Sequence, residues 1–187
     1  MKYGLGSLLA AASLLLSLGV ANADELTLTS PAIPDNGTLA VKNACNDRQR
    51  TPNCVGENIS PPLAWSGAPD DTRSFALLLM DPEEHAPEVT TLMVVYGIPP
   101  SVKGFAEGAL SHPSDEFVGG KSTMDKEVYT GPGTPPYTGW HHYVWTLIAT
   151  DLDPNKLRPG LTQGELMPAF NNHVLGTAGL VMRFKHP

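Results

Sequence analysis

Basic charge, cysteine and long apolar runs are all scarce in this chain. Of its 187 residues, 12 are Lys or Arg against 19 Asp or Glu, a formal charge of −7. That balance offers no basic face, which argues against nucleic acid or an anionic membrane surface as the main partner. Only two cysteines are present. No second pair of soft ligands lies near them, so a zinc site is not expected. The chain has no G-x-S-x-G nucleophile elbow and no H-E-x-x-H helix, so the residues do not point to a nucleophilic enzyme or a zinc hydrolase. Gly119-Gly120-Lys121-Ser122 resembles a phosphate loop only in part, because Asp115 stands where the Walker pattern needs glycine. Glu83, Glu84, His85, His141 and His142 are metal-ligand types, but adjacent histidines on a strand face opposite ways. No cofactor or metal is expected, and repeats, low-complexity tracts and linkers are absent.

One apolar run does stand out. Lys2 precedes a stretch over residues 5–20 that is apolar or small throughout, and Ala21-Asn22-Ala23 follows. This is the pattern of a signal peptide cleaved before Asp24, too short for a membrane anchor and with no basic stop-transfer cluster behind it. Residues 1–23 are therefore expected to be removed, leaving one domain over 24–187 with 11 basic and 19 acidic residues and no membrane segment. The expected location is secreted or periplasmic. Cys45 and Cys54 suit an oxidising compartment and are expected to form one disulfide across a polar loop.

What is abundant points to β-structure. Gly and Pro number 18 each and hydrophobic residues make up 41%, a turn-rich globular composition. Residues 26–29 alternate as a half-buried strand does, and a short strand is expected near Asp35-Asn36-Gly37. Pro61-Pro62 forbids helix. Residues 75–80 are six apolar residues in succession, read as a strand buried on both faces and ending at Asp81-Pro82. Residues 83–88 read as an acidic loop, 92–98 as a second apolar strand, and 101–128 as a long loop. Residues 129–140 form a stiff Pro/Gly loop that feeds a third strand at 141–149. Alternation puts His141, Tyr143 and Trp145 on one face and His142 on the other. Thr162-Gln163-Gly164-Glu165 has capping-box spacing, so a helix starts there, with Pro168 kinking or delaying it and Gly176 as its stop. Residues 179–184 form the last strand. Asn36 and Asn58 head glycosylation sequons.

Chemistry-bearing residues gather at strand ends. Asp81 closes one buried strand, while His141 and Tyr143 open another beneath the Pro/Gly loop. An acid, an imidazole and a phenol at such a place could line a pocket for an anionic or hydrated head group. The alternative is a capped turn beside ordinary strand residues.

These residues also carry a resemblance. Asn58-Ile59-Ser60-Pro61-Pro62-Leu63-Ala64-Trp65, Asp81-Pro82, Val94-Val95-Tyr96-Gly97-Ile98-Pro99, the 129–136 loop and His141-His142-Tyr143-Val144-Trp145 occur in the order found in phosphatidylethanolamine-binding proteins. Over residues 26–184 the chain most resembles their bacterial Raf-kinase-inhibitor-like branch, the YbhB/YbcL type. The resemblance implies a mainly β, sandwich-like fold with a large antiparallel sheet and a short C-terminal helix. It implies a non-enzymatic protein whose pocket for an anionic small molecule or phospholipid head group is lined by Asp81, Pro135, Pro136, His141 and Tyr143. It also allows an inhibitor-type module that binds an exported protease or other protein, with loops 83–88 and 130–140 carrying the function. The chain departs from the family in three places. Two residues are added after Asp81-Pro82, one is added near Gly133-Thr134, and Leu92-Met93 replaces the family's His-Trp pair. Exchanging that cationic donor for Leu92 is expected to weaken phosphate binding by about 1–3 kcal/mol.

Overall fold

A computed structural model describes residues 25–187. The expected signal peptide lies outside the described residues. The strands are β1 (Thr27–Thr29), β2 (Gly37–Thr38), β3 (Leu63–Ser66), β4 (Ser74–His85), β5 (Glu88–Ile98), β6 (Gly104–Phe105), β7 (Val118–Gly120), β8 (His141–Thr150) and β9 (Val174–Phe184). One α-helix, α1 (Gln163–Ala169), precedes β9. The large sheet runs β2-β9-β8-β4-β5-β7 and the small one β1-β3-β6. All pairs are antiparallel except β2 with β9.

The central strand β4 explains the layering. Phe75, Leu77 and Leu79 join the main core between the two sheets, with Trp65, Tyr143, Trp145 and Phe184. Ala76 and Leu78 face the other way, into a second cluster with Leu166 and Phe170. A strand apolar at every position thus has a sheet over one face and the helix and its flanking loops over the other, which is why it shows no alternation. Mixed burial along β8, with His141, Tyr143, Trp145 and Leu147 buried, follows the expected alternation.

Several boundaries differ from the sequence reading. The strand expected to stop at Asp81-Pro82 continues to His85, and residues 83–85 are strand rather than loop. Pairing with β8 ends at Met80, and pairing with β5 is irregular between Asp81 and His85. Pro82 falls in that irregular stretch, where a missing N–H removes no ladder bond. The expected loop at 101–128 contains β6 and β7, too short to show a period. In β7, a Cβ at Gly120 would lie 2.4 Å from the Leu161 carbonyl oxygen, so only glycine permits this approach. Strand β3, just after Pro61-Pro62, was not anticipated.

The helix starts where the capping box placed it. The Glu165 N–H donates to the Thr162 hydroxyl, and the Thr162 N–H donates to the Glu165 carboxyl. Pro168 neither delays nor precedes the start; the helix ends one residue after it. Gly176 is not the stop but part of β9, and Asn172 takes the left-handed conformation beyond the helix, φ 65°.

Candidate ligand site

Asp81 stands one step beyond Met80–Val144, the last β4–β8 pair, and His141 opens β8 opposite Phe184 of β9, so the two side chains meet where β4 and β8 part. Asp81 Oδ2 lies 2.9 Å from His141 Nδ1. Its Oδ1 accepts the Glu83 N–H at 2.8 Å and the Glu84 N–H at 3.1 Å. The acid is therefore both the hydrogen-bond partner of His141 and the staple that turns the chain after Pro82. Asp81 is 1% exposed and His141 5%, so these contacts take the place of water for groups that would otherwise be costly to bury.

Tyr143 completes the inner set. Its hydroxyl shares a 2.6 Å hydrogen bond with the Thr134 hydroxyl, and both residues are buried. Burial drives the Tyr143 phenol well above its ordinary range, the nearby Asp81 and Glu84 charges push the same way, and the Thr134 bond only partly opposes them. Tyr143 is thus a neutral donor across the physiological range. Tyr129, stacked 6.0 Å from Trp145, is raised in the same direction by burial alone.

A second acid–imidazole pair lies on the outer face. Glu83 Oε1 is 2.7 Å from His142 Nδ1, and the His142 N–H donates to Glu83 Oε2 at 3.0 Å. Burial works to raise the Glu83 carboxyl, but the bonds and charge from His142 outweigh it and leave its pKa below the ordinary value. Alternation alone separates the two histidines: His141 faces Asp81 inside, His142 faces Glu83 outside.

The Pro/Gly loop roofs the inner set. Asn58 fixes it, donating to the Tyr129 carbonyl at 2.9 Å and accepting the Gly131 N–H at 2.8 Å. The sequon at Asn58 thus holds an amide that works as a structural clamp. Thr134 hangs from this loop into the site, whereas Pro135 is half-buried and Pro136 exposed beside it. Both prolines flank an outer cleft of about 520 Å³ with Tyr137, Gly139, Lys185 and His186. The nearer opening is a narrow cleft of about 40 Å³ between Glu84, Gly131 and Gly133 on one side and the Cys45–Cys54 loop on the other. Two larger grooves, about 990 Å³ beside β3 and β9 and about 600 Å³ beside β1 and β9, hold none of the expected site residues.

The disulfide is formed, with its Cα atoms 4.7 Å apart. Leu92 is 2% exposed and belongs to the apolar cluster that includes Leu79 and Tyr143. It is a core residue here. Among the described residues, no group of three His, Cys, Asp or Glu side chains is gathered for a metal. Sequence reasoning brought Asp81, His141 and Tyr143 to one place, and missed Thr134 and the Asn58 clamp. The extra residue near Gly133-Thr134 was the one signal that could have found Thr134.

Comparison with known proteins bears on the whole domain. The model of a family described as phosphatidylethanolamine-binding protein matches residues 29–185. A UPF0098 protein of Methanothermobacter thermautotrophicus is 38% identical over 146 residues, 74% of this chain and 93% of the relative. A Mycobacterium tuberculosis protein carrying the lipoprotein name LppC is 30% identical over 87% of this chain and 74% of its own length. Among solved structures, CT736 of Chlamydia trachomatis, described as a homologue of phosphatidylethanolamine-binding protein, aligns at TM-score 0.73 and 26% identity, covering 88% of this chain and 99% of that one. Escherichia coli YbcL shares the fold at TM-score 0.76, with 22% identity over 86% of this chain and 98% of its own.

Proposed function

The chain belongs to the phosphatidylethanolamine-binding protein family, and from that premise we propose that it is an exported, non-enzymatic binding protein for a phosphate-bearing or otherwise anionic head group. The observation that carries this reading is the buried set Asp81, His141, Tyr143 and Thr134, a polar floor at the rim of an apolar core. Polar groups converging beneath a loop are what a small-ligand site requires. Among the described residues no serine, threonine or cysteine side chain hydrogen-bonds His141, which favours binding over nucleophilic chemistry. The disulfide and the LppC relative support export. Among the described residues, no helix is long and apolar enough to cross a membrane.

Pro135 and Pro136 serve in this reading as the rigid lip of the loop, not as hydrogen-bonding groups. Calorimetric titration with O-phosphoethanolamine and inorganic phosphate tests it. Saturable heat from the wild type, weakened at least tenfold by His141→Ala in a folded variant, is the expected result. No heat from the wild type, or heat unchanged in the variant, would overturn it.

A second reading, an inhibitor-type module for a protein target, rests on the β4–β5 hairpin. Its tip, residues 85–89, is exposed throughout, and Val89 is 49% accessible. This reading expects capture of an exported protein that survives His141→Ala and fails when residues 83–88 are shortened. Capture that tolerates the shortened hairpin would remove it.

A further inference from the structure

The outer edge of β9 is only partly filled. Strand β2 pairs with it at Met182 and Arg183 alone. The residues leading into β2 add two bonds at Val181: its carbonyl accepts the Asn36 N–H at 2.7 Å, and its N–H donates to Asp35 Oδ1 at 2.9 Å. Along an antiparallel strand, alternate residues turn both backbone groups to the same edge. Val181 faces outward, so Thr177 and Gly179 do as well. Both are exposed, and among the described residues neither meets a hydrogen-bond partner on that side.

This stretch also lacks what guards an open edge. Residues 174–182 carry no charge and no proline, although lysine, proline or a covering loop are the common protections. Gly179 sits within it. A Cβ there would meet only the Trp145 carbonyl oxygen, at 3.9 Å, and its φ lies outside the left-handed region. Neither packing nor backbone conformation requires glycine at this position. A bare glycine in a strand suits the close approach of another backbone.

The edge opens onto a trough. A groove of about 600 Å³ runs along Thr177–Leu180 with β1 as its other wall, and it shares Glu25, Leu26 and Thr177 with the neighbouring groove of about 990 Å³. Glu25, Asp35 and Asp70 line the two, and Lys103 is the one cation among their described lining residues.

We infer that this trough takes an extended, basic peptide segment of another protein, which adds to the β9 edge as a strand in line with β2. Main-chain bonds to Thr177 and Gly179 hold the segment, as in other cases of strand addition. Its cationic side chains meet the three acids, and its apolar ones meet Leu26 and Leu180. A second copy of this chain fits poorly, because its own β9 edge would bring the same acids and a like net charge of −7. The trough lies on the β2 side of the large sheet, apart from the β4–β5 hairpin and the inner set. The inference therefore stands independently of both readings above.

The test is fluorescence-anisotropy titration of the mature protein, residues 24–187, with a labelled peptide of alternating valine and lysine long enough to span the open edge. Saturable binding is expected, at least tenfold tighter than for the valine–glutamate counterpart. The lysine peptide with every backbone amide N-methylated keeps its charge but loses its donors, and should not bind. The double variant Glu25→Lys, Asp70→Lys should lose at least tenfold in affinity for the lysine peptide while circular dichroism stays that of the wild type. Amide exchange at Thr177 and Gly179 should slow in the bound state. No binding of the lysine peptide, equal binding of its N-methylated form, or unchanged exchange at both amides would overturn the inference. So would a protein that sediments as a dimer with those two amides already protected, which would assign the trough to a second copy.

Discussion

The Thr134 and Tyr143 hydroxyls are each other's partners, 2.6 Å apart and each 1% exposed. This bond joins the Pro/Gly loop to the floor beneath it. Removing either partner strands the other in the core. Thr134→Val and Tyr143→Phe are each expected to cost about 1–3 kcal/mol, and the double variant less than their sum. Urea denaturation of all four proteins measures the coupling. Additive costs would mean that the two hydroxyls do not support each other.

Asp81 accepts from Glu83, Glu84 and His141 at once. Asp81→Ala leaves three polar groups without their acceptor and is expected to destabilise by about 3 kcal/mol. Asp81→Asn keeps an oxygen for the two backbone amides and should cost distinctly less. Chemical denaturation separates them; equal losses would assign the stability to the His141 contact and none of it to the turn.

Stability should fall at alkaline pH. Burial raises Tyr129, Tyr143 and Tyr96 above the ordinary value of 10.0. The folded state therefore holds these protons more tightly than the unfolded chain. The stabilisation is complete below pH 10 and declines as the pH climbs beyond it, by up to about 1.4 kcal/mol per pH unit for each tyrosine. Melting curves followed with phenolate absorbance check this. Ionisation of these tyrosines near pH 10 in the still-folded protein would contradict it.

The acid side works in the opposite sense and more weakly. The Glu83 carboxyl sits below its ordinary value of 4.5 because its bonds to His142 outweigh burial. Its contribution is present above pH 4.5 and disappears as the pH falls through the lowered folded value. Side-chain exposures of 39% for Glu83 and 42% for His142 keep the pair within about 1 kcal/mol. Glu83→Gln should lower stability by up to about 1 kcal/mol above pH 5 and flatten the profile below it; an unchanged acid slope would dismiss the pair.

The sequence by itself determined the β-rich class, the three long strands, the disulfide and the capped helix. Each rests on short-range chemistry: an uninterrupted apolar run, two cysteines nine residues apart, a Thr and a Glu that satisfy each other's amides. Alternation also settled that His141 and His142 face opposite ways, since it depends only on strand geometry. Where Asp81 goes was different. Its motif marked an end, yet the strand continues because the carboxyl binds the next two amides and lets Pro82 sit in a bulge.

Only the tertiary structure decided what closes the site and what opens it. Thr134 and Tyr143 are nine positions apart, but Asn58 and Gly131 are separated by 73, and Arg50 and Met124 by 74. No local period encodes such pairings, because they arise when separate loops pack over a finished sheet. Tertiary packing likewise made Leu92 a core residue.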